Sequence, residues 1–205
     1  MPLTVLSHPL VTASLNTLRD AATQTPDFRR ACELVSTHLA LEASRDLAMR
    51  PGEVATPLET APTEVPAEGI AVVAILRAGM GMVEPFTRLL PEVAVGYVGM
   101  ERDERTAVAH AYYCKLPELR NHVVYVIDPM LATGGSAEFT LERVRESGAR
   151  RIKFISIVAA PEGVGRLQAR FPDLEIVTAA LDRELDGNKY ILPGLGDFGD
   201  RLFGT

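Results

Sequence analysis

The chain predicts an α/β fold, a central and mostly parallel sheet flanked by helices, and three features of the sequence carry that prediction. From Ile70 onward, apolar runs of strand length alternate with helical stretches. The runs are apolar nearly throughout, as strands are when helices cover both faces of a parallel sheet. The glycine-rich and charged segments follow the apolar runs, at the carboxyl ends of the strands, where open sheets of this kind take their ligands. The expected strands are Ile70–Leu76, Val93–Val98, Val123–Ile127, Ile152–Val158 and Glu175–Ala180. The expected helices between them are Val83–Leu90, Ser136–Ser147 and Gly163–Phe171.

Ahead of this core, residues 1–50 read as a helical extension. Leu10, Leu15 and Leu18 recur at roughly helical spacing, as do Phe28, Cys32, Val35, Leu39 and Leu47. Pro26-Asp27 between the two runs suits a helix start, so the pair reads as a helical hairpin whose apolar positions serve core or dimer contacts. Pro51–Gly69 is rich in Pro, Thr and Glu. Val54–Leu58 and Thr63–Val65 suit a short β excursion there, with an unstructured linker as the alternative. The expected organisation is one domain over 1–205: the helical extension, an α/β core over 70–182, and a glycine-rich C-terminal segment over 183–205.

The 205 residues suffice for one domain with a substantial core, and 47% hydrophobic with 23% charged residues is a globular composition. The net charge of −6 weighs against a nucleic-acid partner but not against small anionic substrates, which a local cluster of cations or backbone N–H groups can bind. Cys32 and Cys114 lack metal-ligand spacing and read as free thiols, with one disulfide as the alternative. No apolar run approaches membrane-spanning length, and Met1–Leu10 lacks the layout of a signal peptide, so the expected location is the cytoplasm.

The most informative segment is Val123-Val-Tyr-Val-Ile-Asp-Pro-Met-Leu-Ala-Thr-Gly-Gly-Ser136. A buried strand runs into an acid, then a Thr-Gly-Gly-Ser turn, then a helix. The two glycines allow tight backbone geometry, and the N–H groups of the turn and first helical turn converge at the positive end of the helix dipole. Thr133 and Ser136 add hydroxyl donors, and a phosphate monoester fits such a cup. Asp128 can accept hydrogen bonds from two adjacent sugar hydroxyls. An acid and a phosphate cup at this spacing match a ribose 5-phosphate.

Ile75-Leu-Arg-Ala-Gly-Met-Gly-Met82 follows the first core strand, and Arg77 offers a planar cation beside small residues. A dinucleotide-binding fingerprint competes here, with Gly79, Gly81 and the later Glu101. However, Glu84 occupies the place of its third glycine, and it leaves the Thr-Gly-Gly-Ser turn unexplained. Gly99-Met-Glu-Arg-Asp-Glu-Arg-Thr106 reads as a charged, solvated loop, with Asp103, Glu104 and Arg105 facing water. Lys189-Tyr-Ile-Leu-Pro-Gly-Leu-Gly-Asp-Phe-Gly-Asp-Arg-Leu-Phe-Gly-Thr205 is too glycine-rich and too apolar for an ordinary tail. Gly194, Gly196 and Gly199 shape a loop whose backbone groups can meet a planar base edge.

Taken together and in this order, the three segments resemble the type I phosphoribosyltransferases, and Asp128–Ser136 with the C-terminal loop resembles their uracil-specific branch. His8-Pro-Leu10 and Ala159-Ala-Pro-Glu-Gly163 extend the match over nearly the whole chain. The resemblance implies transfer of phosphoribose from phosphoribosyl pyrophosphate (PRPP) to uracil, giving UMP and diphosphate in pyrimidine salvage. It also implies Mg²⁺, a homodimer or higher homo-oligomer, and no nucleic-acid or membrane partner. It implies donor contacts from Arg77, Arg102, Asp128, Pro129, Met130, Leu131, Ala132, Thr133, Gly134, Gly135, Ser136 and Asp197. Asp128, Arg102 and Asp197 are the implied catalytic residues. Ile191, Gly196, Asp197 and Phe198 are the implied uracil contacts, and the segment through Tyr113 is an implied flexible loop. Pro129 stands where most relatives have a second acid, and Phe198 where Ala is commonest.

No His, Cys or Ser is placed as a covalent nucleophile, so catalysis would come from positioning and electrostatic stabilisation. No carboxylate cluster offers a metal cage, which is compatible with Mg²⁺ arriving on substrate phosphates. A phosphoribosyltransferase for another base and an RNA-binding pyrimidine regulator on the same fold are the remaining alternatives. The C-terminal loop disfavours the first and the acidic charge the second.

Overall fold

The computed structural model describes residues 3–102 and 109–205; the side chains of 101–111 lie outside the description. In chain order the elements are β1 (Leu3–Val5), α1 (Pro9–Arg19), α2 (Thr25–Ala43), β2 (Met49–Ala55), β3 (Thr60–Pro66), β4 (Gly69–Leu76), α3 (Met80–Leu89), β5 (Ala94–Arg102) and β6 (Ala109–Lys115). They continue with β7 (His122–Ile127), β8 (Met130–Leu131), α4 (Gly135–Glu146), β9 (Arg151–Ala159), α5 (Pro161–Arg170), β10 (Glu175–Leu181), β11 (Glu184–Leu185), β12 (Ile191–Leu192) and α6 (Phe198–Phe203).

The main sheet has the order β1-β10-β9-β7-β4-β5-β6, with β8 also on β9. Every pairing in it is parallel except β5–β6. Alternate residues of each central strand enter opposite cores. Val72 and Ala74 of β4, with Tyr125 and Ile127 of β7, pack with Phe28, Val35 and Leu39 of α2 and Phe86 of α3. Val73, Ile75, Val124 and Val126 pack instead with Leu141 and Val144 of α4 and Leu167 of α5. Burial on both faces explains why these strands are apolar at every position.

The helix starts follow local chemistry. The ring Nδ1 of His8 accepts the Leu10 N–H at 3.2 Å, and Pro9 opens α1. Pro161 opens α5 in the same way. No helix is long and apolar enough to cross a membrane among the described residues. Cys32 is buried and Cys114 exposed, and both are free. Burial pushes the Cys32 thiol up to about 12.

Four expectations need correction. The N-terminal stretch is not wholly helical: it opens with β1, which adds to the sheet edge, and its residues 49–50 begin β2. The β excursion is a single antiparallel hairpin over 49–66, with Pro57 and Leu58 in its turn. Thr56 sets that turn, because its hydroxyl accepts the N–H groups of Leu58 and Glu59 and donates to the Glu59 carbonyl. Helix α3 begins at Met80, three residues before the expected Val83, and accommodates Pro85. Residues 99–102 continue β5, and 109–115 pair with it antiparallel as β6 rather than forming a loop. The absent side chain at Gly99 leaves room for the Tyr112 ring, which a Cβ there would meet at 2.5 Å.

Candidate active site

β4 and β7 pair in parallel up to Ala74↔Ile127, and the chain beyond β4 packs tightly over their carboxyl ends. Gly79 packs so closely there that a Cβ would fall 2.5 Å from the Ile75 carbonyl oxygen and 2.8 Å from that of Ile127. Arg77 stands in the turn between β4 and this glycine, after a cis peptide bond from Leu76. Its guanidinium lies 3.8 Å from the Asp200 carboxylate, and both side chains are more than half exposed. So exposed a pair contributes little stability, which leaves the guanidinium available to an anion.

Asp128 follows β7 directly. β7 pairs with β9 up to Ile127↔Ile155, and β8 resumes at Met130↔Val158. Asp128 and Pro129 step out of the ladder between them. The Asp128 N–H donates to the Ile155 carbonyl at 3.1 Å, and the Pro129 carbonyl accepts from both Ile157 and Val158 at 3.0 Å. The Asp128 carboxylate accepts the Met130 N–H, a long contact of 3.4 Å. Burial dominates its environment and pushes the carboxyl up to about 7, partly offset by that N–H.

The turn beyond β8 leads into α4. Gly134 occupies the cap position with φ of 77°, a left-handed conformation that favours glycine, and no side chain caps the helix. The first-turn N–H groups therefore remain open to an anion, at the positive end of the dipole. Gly163 of α5 supports this turn from below. A Cβ on it would lie 2.4 Å from the Ala132 carbonyl oxygen and 3.0 Å from that of Leu131. Arg166 of α5 pairs with Glu138 in the first turn of α4 and so ties the two helices.

The C-terminal segment turns back over this edge. β11 and β12 form a small antiparallel pair. Asp186 shapes their connection by accepting the N–H groups of Asn188 at 2.8 Å and Tyr190 at 2.9 Å. Gly194 and Gly196 have φ of 60° and 82°. A cavity of about 230 Å³ opens between the elements, lined by Ala78, Met130 and Ala132 on one side and 189–191 and 196–199 on the other. A larger cavity of about 680 Å³ lies at the other end of the sheet, by Gly69 and Ile70 of β4 and His122 of β7. It lacks the glycine turn and helix start of the carboxyl end.

The cavity thus brings together Ile191, Gly196, Asp197 and Phe198 with Met130 and Ala132. Arg77 and Asp128 adjoin its walls in sequence. The Arg102 side chain and Asp103, Glu104, Arg105 and Thr106 lie outside the described residues. Two candidates have duties that sequence reasoning did not anticipate. Asp197 caps α6, accepting the Asp200 N–H at 3.0 Å. The Phe198 ring is buried and meets the Phe28 ring edge-on, with centroids 5.1 Å apart. Phe198→Ala should therefore act on the fold, costing about 3–5 kcal/mol of unfolding free energy by denaturant titration. A variant as stable as the parent would place the ring's main role elsewhere.

Sequence reasoning also missed Arg19 and Asp182. Asp182 sits just beyond β10, almost fully buried, and takes both terminal nitrogens of Arg19 at 2.6 and 2.8 Å. The two residues are far apart in the chain, and no local pattern joins them.

Comparison with known proteins places the chain in a family. A family model described as uracil phosphoribosyltransferase matches residues 5–205. Among curated relatives, a uracil phosphoribosyltransferase of Streptococcus salivarius and one of Salinibacter ruber are each 47% identical over 203 residues, covering 98% of this chain and 97% of theirs. The solved structure of the AQ2163 protein from Aquifex aeolicus superposes with a TM-score of 0.95 at 36% identity, covering 100% of this chain and 99% of that one. A hypoxanthine-guanine phosphoribosyltransferase of Bacillus anthracis shares the fold at a TM-score of 0.53 and 16% identity, over 77% of this chain and 80% of its own.

Proposed function

The chain belongs to the uracil phosphoribosyltransferase family, and from that premise we propose how its carboxyl-end cluster transfers phosphoribose from PRPP to uracil. The single observation that supports the assignment is the cavity. It sets the C-terminal loop against Met130 and Ala132, within one strand-to-helix crossover of the uncapped start of α4.

In this reading the turn from Ala132 to Ser136 takes the 5-phosphate on its open N–H groups, with the Thr133 and Ser136 hydroxyls as further donors. The Asp128 carboxylate accepts the two ribose hydroxyls. Arg77 and Arg102 bind the diphosphate, where a planar fork of donors suits paired phosphate oxygens. The backbone of Ile191, Gly196, Asp197 and Phe198 meets the uracil edge. Asp197 spends one oxygen on the α6 cap, so it contributes through the other oxygen and through its main chain.

The base nitrogen displaces diphosphate at C1 of the ribose, and positive charge develops on the sugar as negative charge grows on the leaving group. With Asp128 at the sugar and Arg77 at the diphosphate, each would counter the charge that develops near it. Among the described residues, no three His, Cys, Asp or Glu side chains converge on a metal site. Mg²⁺, where bound, would arrive on the substrate's diphosphate rather than in a protein cage. The bound ion supplies further counter-charge.

Arg77→Ala should weaken PRPP binding by on the order of tenfold or more while leaving uracil binding nearly intact, as a charge-assisted hydrogen bond to phosphate is lost. Lys at this position should restore only part of the affinity. Calorimetric titration of PRPP reads the result directly, and unchanged donor affinity in Arg77→Ala would assign the arginine to the solvated surface.

The reading includes a homodimer or higher oligomer in the cytoplasm. The β2–β3 hairpin supports self-association, because among the described residues both strands pair only with each other and Leu58 at the tip is 95% exposed. An isolated two-stranded hairpin is marginally stable in water, so an arm of this kind gains from a covering surface.

A further inference from the structure

We propose that Arg19 and Asp182 form a positioning pair that sets the height and orientation of the uracil-binding loop, an inference that rests on reading residues 191–198 as the base site. The pair grips one residue, Gly194, at both its N–H and its carbonyl. Asp182 Oδ2 accepts the Gly194 N–H at 2.8 Å, and Arg19 Nη1 donates to the Gly194 carbonyl at 2.7 Å. The same Nη1 reaches Asp182 Oδ2 at 2.8 Å, and Nη2 reaches Oδ1 at 2.6 Å.

The gripped residue is the tightest point of the loop. Gly194 has φ of 60°, and a Cβ on it would fall 2.1 Å from the Ile191 carbonyl oxygen. Gly196 and Asp197, both on the cavity wall, follow within three residues. Asp182 is itself anchored to the sheet, since its N–H donates to the Ala159 carbonyl at 2.8 Å. Arg19 belongs to the last turn of α1. A second strap runs in the opposite direction: Arg201 donates to the Leu195 carbonyl at 2.7 Å, to the Asp20 carbonyl at 2.6 Å and to the Leu18 carbonyl. The end of α1 is thus the abutment against which the loop is fixed.

Energetics favour positioning over bulk stability as the role of the pair. Its carboxylate is 4% exposed, and a buried ion pair often adds no net stability over apolar residues of like volume. What it adds is geometry, because the planar fork and the carboxylate fix distances and angles at once. A loop that reads a base through main-chain groups needs such fixing, since an error of about 1 Å can cost on the order of 100-fold in rate.

The test uses Arg19→Ala and, because that change strands a buried carboxylate, the double variant Arg19→Gln with Asp182→Asn, which leaves no buried charge. Steady-state kinetics vary uracil and PRPP separately. Hydrogen exchange of the amides over 191–199 is followed with and without UMP. Both variants should raise KM for uracil by on the order of ten- to a hundredfold. KM for PRPP should move far less, and exchange at Gly194 should accelerate. KM values that shift together for both substrates, or an unaltered uracil KM in a folded variant, would overturn the positioning role. If UMP protects 191–199 in the unaltered protein while the double variant keeps its uracil KM, the base site stands and the pair's role alone is lost. If UMP leaves those amides unprotected, the base reading falls and the inference with it.

Discussion

Asp128→Asn should lower kcat/KM by on the order of 100- to 1000-fold and at the same time raise the melting temperature above neutral pH. The loss of rate follows from chemistry. Asn offers one acceptor and one donor where the carboxylate offers two acceptors to the ribose diol, and it removes the negative charge beside a developing cation. The gain in stability follows from burial, which lifts the Asp128 carboxyl from 3.8 to about 7. A carboxyl raised in the fold binds more protons folded than unfolded between those two values. Stability therefore falls as pH rises through that window, and the full penalty persists above it. Asn escapes the penalty, so the variant should melt higher at pH 8, and the difference should vanish below pH 4 (about the ordinary carboxyl value). Paired melting curves at the two pH values check the sign. Equal melting temperatures at pH 8 would mean that the carboxylate is well solvated, and unaltered kinetics would remove Asp128 from the reaction.

Gly163→Ala should damage catalysis from a residue that meets no substrate. Its new Cβ would lie 2.4 Å from the Ala132 carbonyl oxygen, which is backbone and has no rotamer to yield. Either α5 moves or the phosphate turn does. Arg166 ties α5 to α4 through Glu138, so relief falls in part on the turn proposed to take the 5-phosphate. A shift there of about 1 Å should raise KM for PRPP and lower kcat/KM by on the order of 100-fold. Strain of this kind also costs about 1–3 kcal/mol of stability. Kinetics at a temperature where the variant stays folded separate the two effects. Native kinetics in a folded variant would show that α5 absorbs the clash.

The same contact shows what a single sequence conveys and what it withholds. The central strands were legible because burial on both faces leaves an unbroken apolar run, as in Val123–Ile127. The strand–turn–helix step from β7 to α4 was legible because its signal is local: an acid, two glycines and two hydroxyls in one short stretch. Gly163 carried no such signal, since its need for a bare Cα comes from Ala132, on another element. Arg19 and Asp182 were hidden for the same reason. β1 is only three residues long and takes its order from the edge of β10. β6 was read as loop because the space for Tyr112 comes from Gly99 across the ladder. Phe198 was read toward the base from its place in the motif, but its ring turns to Phe28, which no spacing within the motif could indicate. In the proposed reading the loop's chemistry rests on its main chain, and main-chain recognition makes a sharp demand on the choice of base.

Uracil presents an N–H donor at position 3 and a carbonyl acceptor at position 4, and cytosine reverses both. Backbone groups held by Gly194, Leu195 and the α6 cap cannot rotate to suit the reversal. Each mismatch costs on the order of 1–3 kcal/mol, and a site built on hydrogen bonds can reject the wrong partner by about 10⁴-fold. The most direct measurement is kcat/KM for uracil and for cytosine under one set of conditions, with saturating PRPP and Mg²⁺. The expected result is UMP formation from uracil, with cytosine lower by on the order of 10⁴-fold. Comparable values for the two bases would contradict recognition of the uracil edge by the backbone of residues 191–198.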